Sequence, residues 1–337
     1  MEGGEREVRD VGLVRWEEDR YRMLPPIRAW AQITLPAGEL DAYRLRAARW
    51  LAEQPSMWNA VLRPSEERRA AVTEVAEGIA QEVGDVERTL TLQVLALFEL
   101  EEENLLAAVD WACDAGRWEL VTELFENLFN FLNIRSLSSD AECVGKKAVD
   151  AGRRLGESKK ARLALSVSLG NLGTVYHYRD RWDEAIECYE QVLAIFRELG
   201  DRHSEGTALM NLGLVYRLQG RWSEAIEKFE ESLAICRELG DRHGEGQTLG
   251  NLGNVYRVQG RWDEAIECYE QDLAICRELG DRHGEGHTLV NAGVLYKQLG
   301  QMERAINLWN EALGKLNPES PEHEKVRGWV EDLSTDR

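Results

Sequence analysis

Apolar and polar positions alternate along residues 201–280 with the period of a helix. Leu209, Leu212, Gly213 and Tyr216 stand at offsets 0, 3, 4 and 7, which places them on one helical face. Gly220 interrupts this pattern, and Trp222, Ile226, Phe229, Leu233 and Cys236 begin a second helical stripe. The unit therefore reads as two antiparallel helices. Ser223, with Asp183 and Asp263 at the sister positions, is the expected N-cap of the second helix. Glu224 suits the first-turn dipole. Gly240 stands where a left-handed residue ends a helix, and Asp241 is placed to cap the next. Ala185, Ala225 and Ala265 are small where paired helices should come closest.

This unit is written twice in succession. Residues 201–240 and 241–280 are identical at 29 of 40 positions by direct count. A degraded copy ends at Gly200 and another ends at Leu313. A fixed period of this length predicts stacked units that bury their faces on one another, not one globular core. Leu209, Leu212, Gly213, Tyr216, Gly220, Trp222, Ala225 and Phe229 together resemble the tetratricopeptide repeat. That family's usual period is about 34. Here ELGDRHGEG replaces the usual terminal proline, and the longer unit is similar to the repeats of kinesin light chains and spindle-orientation scaffolds. The resemblance covers about 165–316 and implies an all-α superhelical solenoid that binds a protein or peptide.

Towards the N-terminus the pattern changes. Leu13–Trp16 and Tyr21–Leu24 alternate around Glu17-Glu18-Asp19, which predicts a short β-hairpin, and Pro25-Pro26 then opens a helix through Ala31. YRMLPPIRAWA (21–31) resembles the line that closes the winged-helix region of STAND ATPases, the NB-ARC-like signalling NTPases. Helices follow over 39–56 and from 65 to 115. The stretch at 99–132 resembles the place where such an arm passes into repeat-like helix pairs, with AGRW (115–118) echoing the later GRW. The expected organisation is a winged-helix-like remnant over 1–60 and a helical adaptor with atypical pairs over 61–160. Four repeats then occupy 161–316, and a capping helix around Val326, Trp329 and Leu333 lies within 317–337.

Charge narrows the functions. Asp and Glu number 61 against 41 Lys and Arg, a net charge of −20. This disfavours nonspecific binding to nucleic acid or anionic membrane and suits a basic partner. No apolar run reaches the roughly 18 residues that suggest a membrane span, and the charged start MEGGEREVRD lacks a signal peptide's apolar core. The six cysteines form no Cys-x-x-Cys and read as small buried residues of a reduced, cytoplasmic protein. Chemistry is sparse. Gly145-Lys146-Lys147 is the nearest approach to a phosphate loop, but it lacks the upstream glycine and the following Ser/Thr. No nucleophile motif is present, so the reading is non-enzymatic and without a cofactor. His283 and His287 are four apart and could share a metal. His203, His243 and His283 occupy one repeat position, however, which favours a role within the unit and no metal site.

The informative differences lie between copies. Thr207/Gln247, Met210/Gly250, Leu214/Asn254 and Leu218/Val258 differ along one stripe of the first helix, opposite its core face. His287 continues the first of these positions. Beside the stripe Asn171, Asn211, Asn251 and Asn291 recur, with Arg217, Arg257 and Lys297 nearby and His177 in the first copy. Two readings follow. In one, the asparagines form a ladder that grips an extended peptide backbone while Thr207, Met210, Leu214, Gln247, Asn254 and His287 read its side chains. In the other, a solvent-facing stripe drifts after duplication and each asparagine bonds within its own repeat.

The resemblances together imply the ligand-sensing arm of a STAND-type signalling ATPase without its nucleotide-binding core. The alternatives are a transcription regulator using a winged helix on DNA, though the acidic tip makes nucleic acid a poor partner, and a self-associating interaction scaffold. Because residues 1–337 contain no phosphate loop, the purified protein is expected neither to bind nor to hydrolyse ATP or GTP. Stoichiometric nucleotide binding in a calorimetric titration contradicts this.

Overall fold

The computed structural model describes residues 14–17, 20–23, 105–134, 138–318 and 320–335. The chain divides into two compact units, Met1–Glu157 and Ser158–Arg337.

In the first unit, β1 (Val14–Glu17) pairs antiparallel with β2 (Arg20–Met23), Val14 opposite Met23 and Glu17 opposite Arg20. Glu17 thus belongs to the ladder and not to the turn. Nothing described around this pair makes it part of a winged helix, and that reading, like the helices expected at 25–31, 39–56 and 65–104, lies outside the described residues. Among the described residues of this unit three helices come next: α1 (105–114), α2 (Trp118–Ile134) and α3 (Ser138–Arg154). α2 packs on α3. Leu124, Phe125 and Leu128 supply the apolar stripe of α2, and Ala141, Val144 and Ala148 that of α3. Gly116 takes φ +65° between α1 and α2.

The second unit is a chain of helices: α4 (Lys159–Tyr178), α5 (Trp182–Leu199), α6 (Arg202–Leu218), α7 (Trp222–Leu239), α8 (Arg242–Val258), α9 (Trp262–Leu279), α10 (Arg282–Gln298), α11 (Met302–Leu313) and α12 (Pro321–Thr335). From α4 to α12 each helix packs on the next within the unit, which makes the unit a solenoid. Among the described residues no helix is long and apolar enough to cross a membrane.

Local chemistry sets the boundaries. Gly200, Gly240 and Gly280 end the second helices at φ near +70°, where a side chain would be strained. Asp201, Asp241 and Asp281 then cap α6, α8 and α10 by accepting from the N–H of residues 204, 244 and 284. The expected caps Asp183, Ser223 and Asp263 are corrected. The N-cap positions are Arg181, Arg221 and Arg261, whose side chains make no cap hydrogen bond, and the three polar residues lie inside the first turn. Arg221 and Arg261 instead stack on Tyr216 and Tyr256, at 4.4 and 4.2 Å from the ring centroids, and pair with Glu224 and Glu264.

The core of each repeat is an aromatic ring against a bare backbone. An added Cβ would lie 2.6 Å from Phe229 at Gly213 and 2.7 Å from Tyr269 at Gly253. Tyr189 faces Gly173 and Trp309 faces Gly293 in the same way. Ala185, Ala225, Ala265 and Ala305 are fully buried beside these contacts. Phe229, Leu233 and Cys236 are buried as expected, while Trp222 and Ile226 are only half-buried. The cysteine reading needs one correction: Cys188, Cys236, Cys268 and Cys276 are buried, but Cys113 is half-buried and Cys143 is exposed on α3. At the C-terminal end Val326 is buried and Trp329 lies 5.1 Å from Trp309, so α12 covers the last repeat.

Repeats are joined by a buried carboxylate. Glu205 accepts from Arg197 at 2.9 Å and Arg202 at 2.5 Å, and Glu245 accepts from Arg237 at 2.8 Å and from Arg242. Glu285 has Arg277 at 2.8 Å and Lys315 at 2.6 Å. Four of the same arginines make a second pair each: Arg202 with Glu238 and Arg242 with Glu278 at the far end of their own unit, and Arg197 with Glu231 and Arg277 with Glu311 in the next unit. Burial pushes these glutamates up, but their cationic hydrogen bonds outweigh it and hold each pKa below the usual value.

Two measurements test this packing. Gly253→Ala is expected to lose about 1–3 kcal/mol in urea unfolding despite alanine's better helix propensity. Gly170→Ala, where an added Cβ meets nothing within 4 Å inside α4, is expected to gain about 0.5–1 kcal/mol. Equal effects contradict the ring-on-backbone assignment. For the clamp, a depressed pKa means its contribution is complete above the unfolded value of about 4.3 and is lost as pH falls through the folded one. The stability gap between the parent and Glu245→Gln should therefore narrow as pH drops from about 6 to about 3. A gap that does not change over this range contradicts it.

Candidate functional site

The first helices α6, α8 and α10 also approach one another in sequence, and no comparable approach between second helices is found among the described residues. A row of closer-spaced helices lies on the inside of a curve, so the first helices form the concave face. Their residues outside the core, including 207, 210, 211, 214, 217 and 218, form one arc on α6, repeated on α8 and α10.

The asparagines stand half-buried on this arc at all four positions. The Nδ2 of Asn251 donates to the Gln247 carbonyl at 3.0 Å, a bond within its own helix. The side-chain amides of Asn171, Asn211 and Asn291 have no hydrogen-bond partner among the described residues.

The variable positions divide in two. Thr207, Gln247 and His287 each tie to the residue four before them. Thr207 donates to the His203 carbonyl, Gln247 bonds His243 Nε2 at 2.9 Å, and His287 Nε2 meets His283 Nε2 at 2.9 Å. His287 Nδ1 also bonds Glu322 of α12, at 3.0 Å. Among the described residues no three His, Cys, Asp or Glu side chains form a group that could hold a metal ion. Thr207, Met210 and Gln247 line one cleft of about 270 Å³ between α6, α7 and α8.

At the other positions the differences are answered inside the repeat. Asn254 Oδ1 accepts from Tyr269 Oη at 3.0 Å, and Thr174 bonds Tyr189 Oη at the same distance. The sister pair without a ring hydroxyl is Leu214 with Phe229. Gly250 likewise leaves room for the Asp272 carboxylate, whose Oδ2 would lie 2.9 Å from an added Cβ. Asp272 is 5% exposed and accepts from Thr288 at 2.6 Å, and burial raises its pKa. Met210 stands instead where the second helix carries Ser232, whose hydroxyl donates to the Gly206 carbonyl. Leu214/Asn254 and Met210/Gly250 thus change together with their partners on the following helix.

The cations form the arc's other edge. Arg217 is half-buried, its Nε has no hydrogen-bond partner among the described residues, and burial, then Arg257, pushes its pKa down. Arg257 Nε is also buried without a partner, while its Nη1 donates to Gln298 at 3.3 Å. Burial and then Arg217 lower the His177 pKa. Lys297 is exposed, 5.9 Å over the Trp309 ring. Sequence reading did not single out the Glu205, Glu245 and Glu285 clamps or Asp272. The clamps had a visible signal, a glutamate four residues after each capping aspartate in DRHxEG.

Residues 153–238 and 244–315 match the family model described as tetratricopeptide repeat. Among solved structures the chain is similar to BtubC (BKLC) from P. vanneervenii, with 21% identity, a TM-score of 0.53, and coverage of 68% of this chain and 92% of that one. It is also similar to the putative kinesin light chain nearly identical TPR-like repeats from Podosopora anserina, at 22% identity, a TM-score of 0.48, and 58% and 93% coverage. No curated protein matches in sequence.

The pairing of Asn254 with Tyr269 is testable by exchange. Tyr269→Phe should cost about 1–2 kcal/mol by leaving the amide oxygen without its partner. Adding Asn254→Leu, which copies the Leu214–Phe229 pair, should recover most of that loss in the same unfolding assay. Additive losses contradict the pairing.

Proposed function

We propose, on the premise that residues 153–238 and 244–315 are tetratricopeptide repeats, that this protein is a non-enzymatic binding module acting in the cytoplasm. Its ligand is an extended protein segment lying along the first helices. The observation that carries this reading is the row of four half-buried asparagines on one face, three of them with amides that have no partner among the described residues. An amide both donates and accepts, so a row of them suits a peptide backbone whatever its sequence. The cleft holding Thr207, Met210 and Gln247 adds a place for one side chain. The variation at 214 and 254 supports a smaller role in selectivity than the sequence alone implied, because those residues serve their own repeats.

A finer reading is that the module senses ligand for a STAND-type signalling ATPase. It rests on YRMLPPIRAWA (21–31) and on the 99–132 stretch. The genomic sequence upstream of Met1 tests it: an in-frame phosphate-binding loop is expected, and an in-frame stop codon without one contradicts it.

Binding itself is tested by screening an array of random extended peptides with the full chain. The double variant Asn211→Ala/Asn291→Ala is expected to keep its helical circular dichroism and to bind the selected peptides roughly 5- to 150-fold more weakly, at about 0.5–1.5 kcal/mol per lost hydrogen bond. Unchanged affinity in a folded variant contradicts the groove.

A further inference from the structure

On the side of the second helices a cleft of about 350 Å³ lies between α7, α8 and α9. Its apolar lining comes from Leu233 of α7, Leu249 and Leu252 of α8 and Cys268 of α9, all buried. Glu230, Glu264 and Glu267 add carboxylates to it.

The preceding unit shows what such a space holds. Forty residues earlier, nine of the eleven lining positions carry the same residue, and the two that differ are Lys228 for Cys268 and Glu231 for Gln271. The Lys228 side chain is only 21% exposed, and its ammonium stands 2.8 Å from Glu227 and 2.6 Å from Glu231. Glu231 also takes Arg197 at 2.9 Å. Where Lys228 is replaced by Cys268, the amide of Gln271 stands in for Glu231. Its Oε1 accepts from Arg237 and its Nε2 donates to Glu267, each at 3.1 Å. Glu267, the counterpart of one carboxylate that holds Lys228, is left with an amide and without an ion pair among the described residues. Glu230 accepts from Tyr256 Oη at 3.2 Å and likewise makes no ion pair among them. Burial and then Glu230 push the Tyr256 pKa up to about 12, with Arg261 opposing them. Burial and then Glu190 also raise that of Tyr216, but there both Arg221 and Lys228 oppose.

We propose that the cleft at Cys268 is a second binding site, which takes a lysine side chain of a partner protein in the place that Lys228 fills in the unit before. The methylene stem lies on Leu249, Leu252 and Cys268, and the ammonium pairs with Glu267 in the field of Glu230. A compact ammonium suits a single carboxylate, whereas a guanidinium is matched to bidentate pairing. The net charge of −20 draws a basic partner to this face. The site is built from second helices and their apolar contacts with α8, so it does not rest on the asparagine groove.

The test uses the full chain and a fluorescent, end-blocked six-residue peptide of alternating lysine and serine. The same peptide acetylated at each lysine is the control. The lysine peptide is expected to bind, more weakly as salt rises, and the acetylated one not to, because acetylation removes the charge. Cys268→Lys/Gln271→Glu copies the sister pair without changing the net charge. It should keep its helical circular dichroism and bind the peptide roughly five- to tenfold more weakly, because its own ammonium fills the cleft. Glu267→Gln, at an exposed position, should weaken binding in the same direction. Lys228→Cys/Glu231→Gln, also neutral in net charge, should raise the number of bound peptides by one. Asn211→Ala/Asn291→Ala should leave binding unchanged. A lysine peptide that does not bind, or one that binds the folded Cys268→Lys/Gln271→Glu and Glu267→Gln variants as tightly as the parent, overturns the proposal. Equal binding of the acetylated peptide, or no added site in the Lys228 variant, overturns it too. Binding lost in the asparagine variant places the peptide on the first helices, which overturns this site and supports the groove.

Discussion

An aromatic ring of the second helix lies on the bare backbone of the first in every repeat, and this contact fixes how close the two helices stand. Tyr189, Phe229, Tyr269 and Trp309 meet Gly173, Gly213, Gly253 and Gly293, with no space for a methyl group at Gly213 or Gly253. The rings differ in size and polarity, and the neighbouring residue of the first helix differs with them. Thr174 and Asn254 answer a tyrosine hydroxyl, while Leu214 stands opposite a phenylalanine. Close packing forces such compensation, since a misfit of even one methylene is felt in a dense core.

From that spacing the groove follows. A left-handed glycine, a capping aspartate and a buried glutamate between two cations recur at the boundaries after α5, α7 and α9, although the last clamp takes Lys315 in place of the arginine. These junctions repeat the same rotation from unit to unit, so first helices fall beside first helices. Asparagines at one position therefore become a row, and the cations become another. The charge distribution follows the same geometry. Glutamates satisfy the junction arginines, while Arg217 and Arg257 on the inner face have no carboxylate among the described residues.

Much of this solenoid was legible because its signals are local or periodic. Gly240 and Asp241 act on the backbone within three residues, and Gly213 marks a close approach by its lack of a side chain. Ser223 misled because a cap residue next to Trp222 fits the general preference, yet the chain stays helical one residue earlier and Arg221 stacks on Tyr216 instead. The Glu245 clamp was harder to read for a different reason. The recurring glutamate of DRHxEG marks the position, but its partners lie eight residues before it on α7 and three before it on α8, and their meeting on one carboxylate shows only in the fold. The partner of Asn254 is fifteen residues away across the helix pair. The two readings of the asparagine row could not be separated from sequence, since the choice depends on whether a carbonyl lies within reach. One does at Asn251, and none does at Asn171, Asn211 or Asn291 among the described residues.

The account turns on those four amides facing a ligand, and their own signals report it most directly. In nitrogen–proton correlation spectra of the labelled full chain, each side-chain NH₂ gives a resolvable pair of peaks that substitution assigns. On saturation with a peptide selected by binding, the pairs of Asn171, Asn211, Asn251 and Asn291 are predicted to shift together, while Glu245 and its arginine partners at the junction stay unmoved. Shifts confined to the second helices α5, α7 and α9, with the four asparagine pairs unchanged, contradict the account.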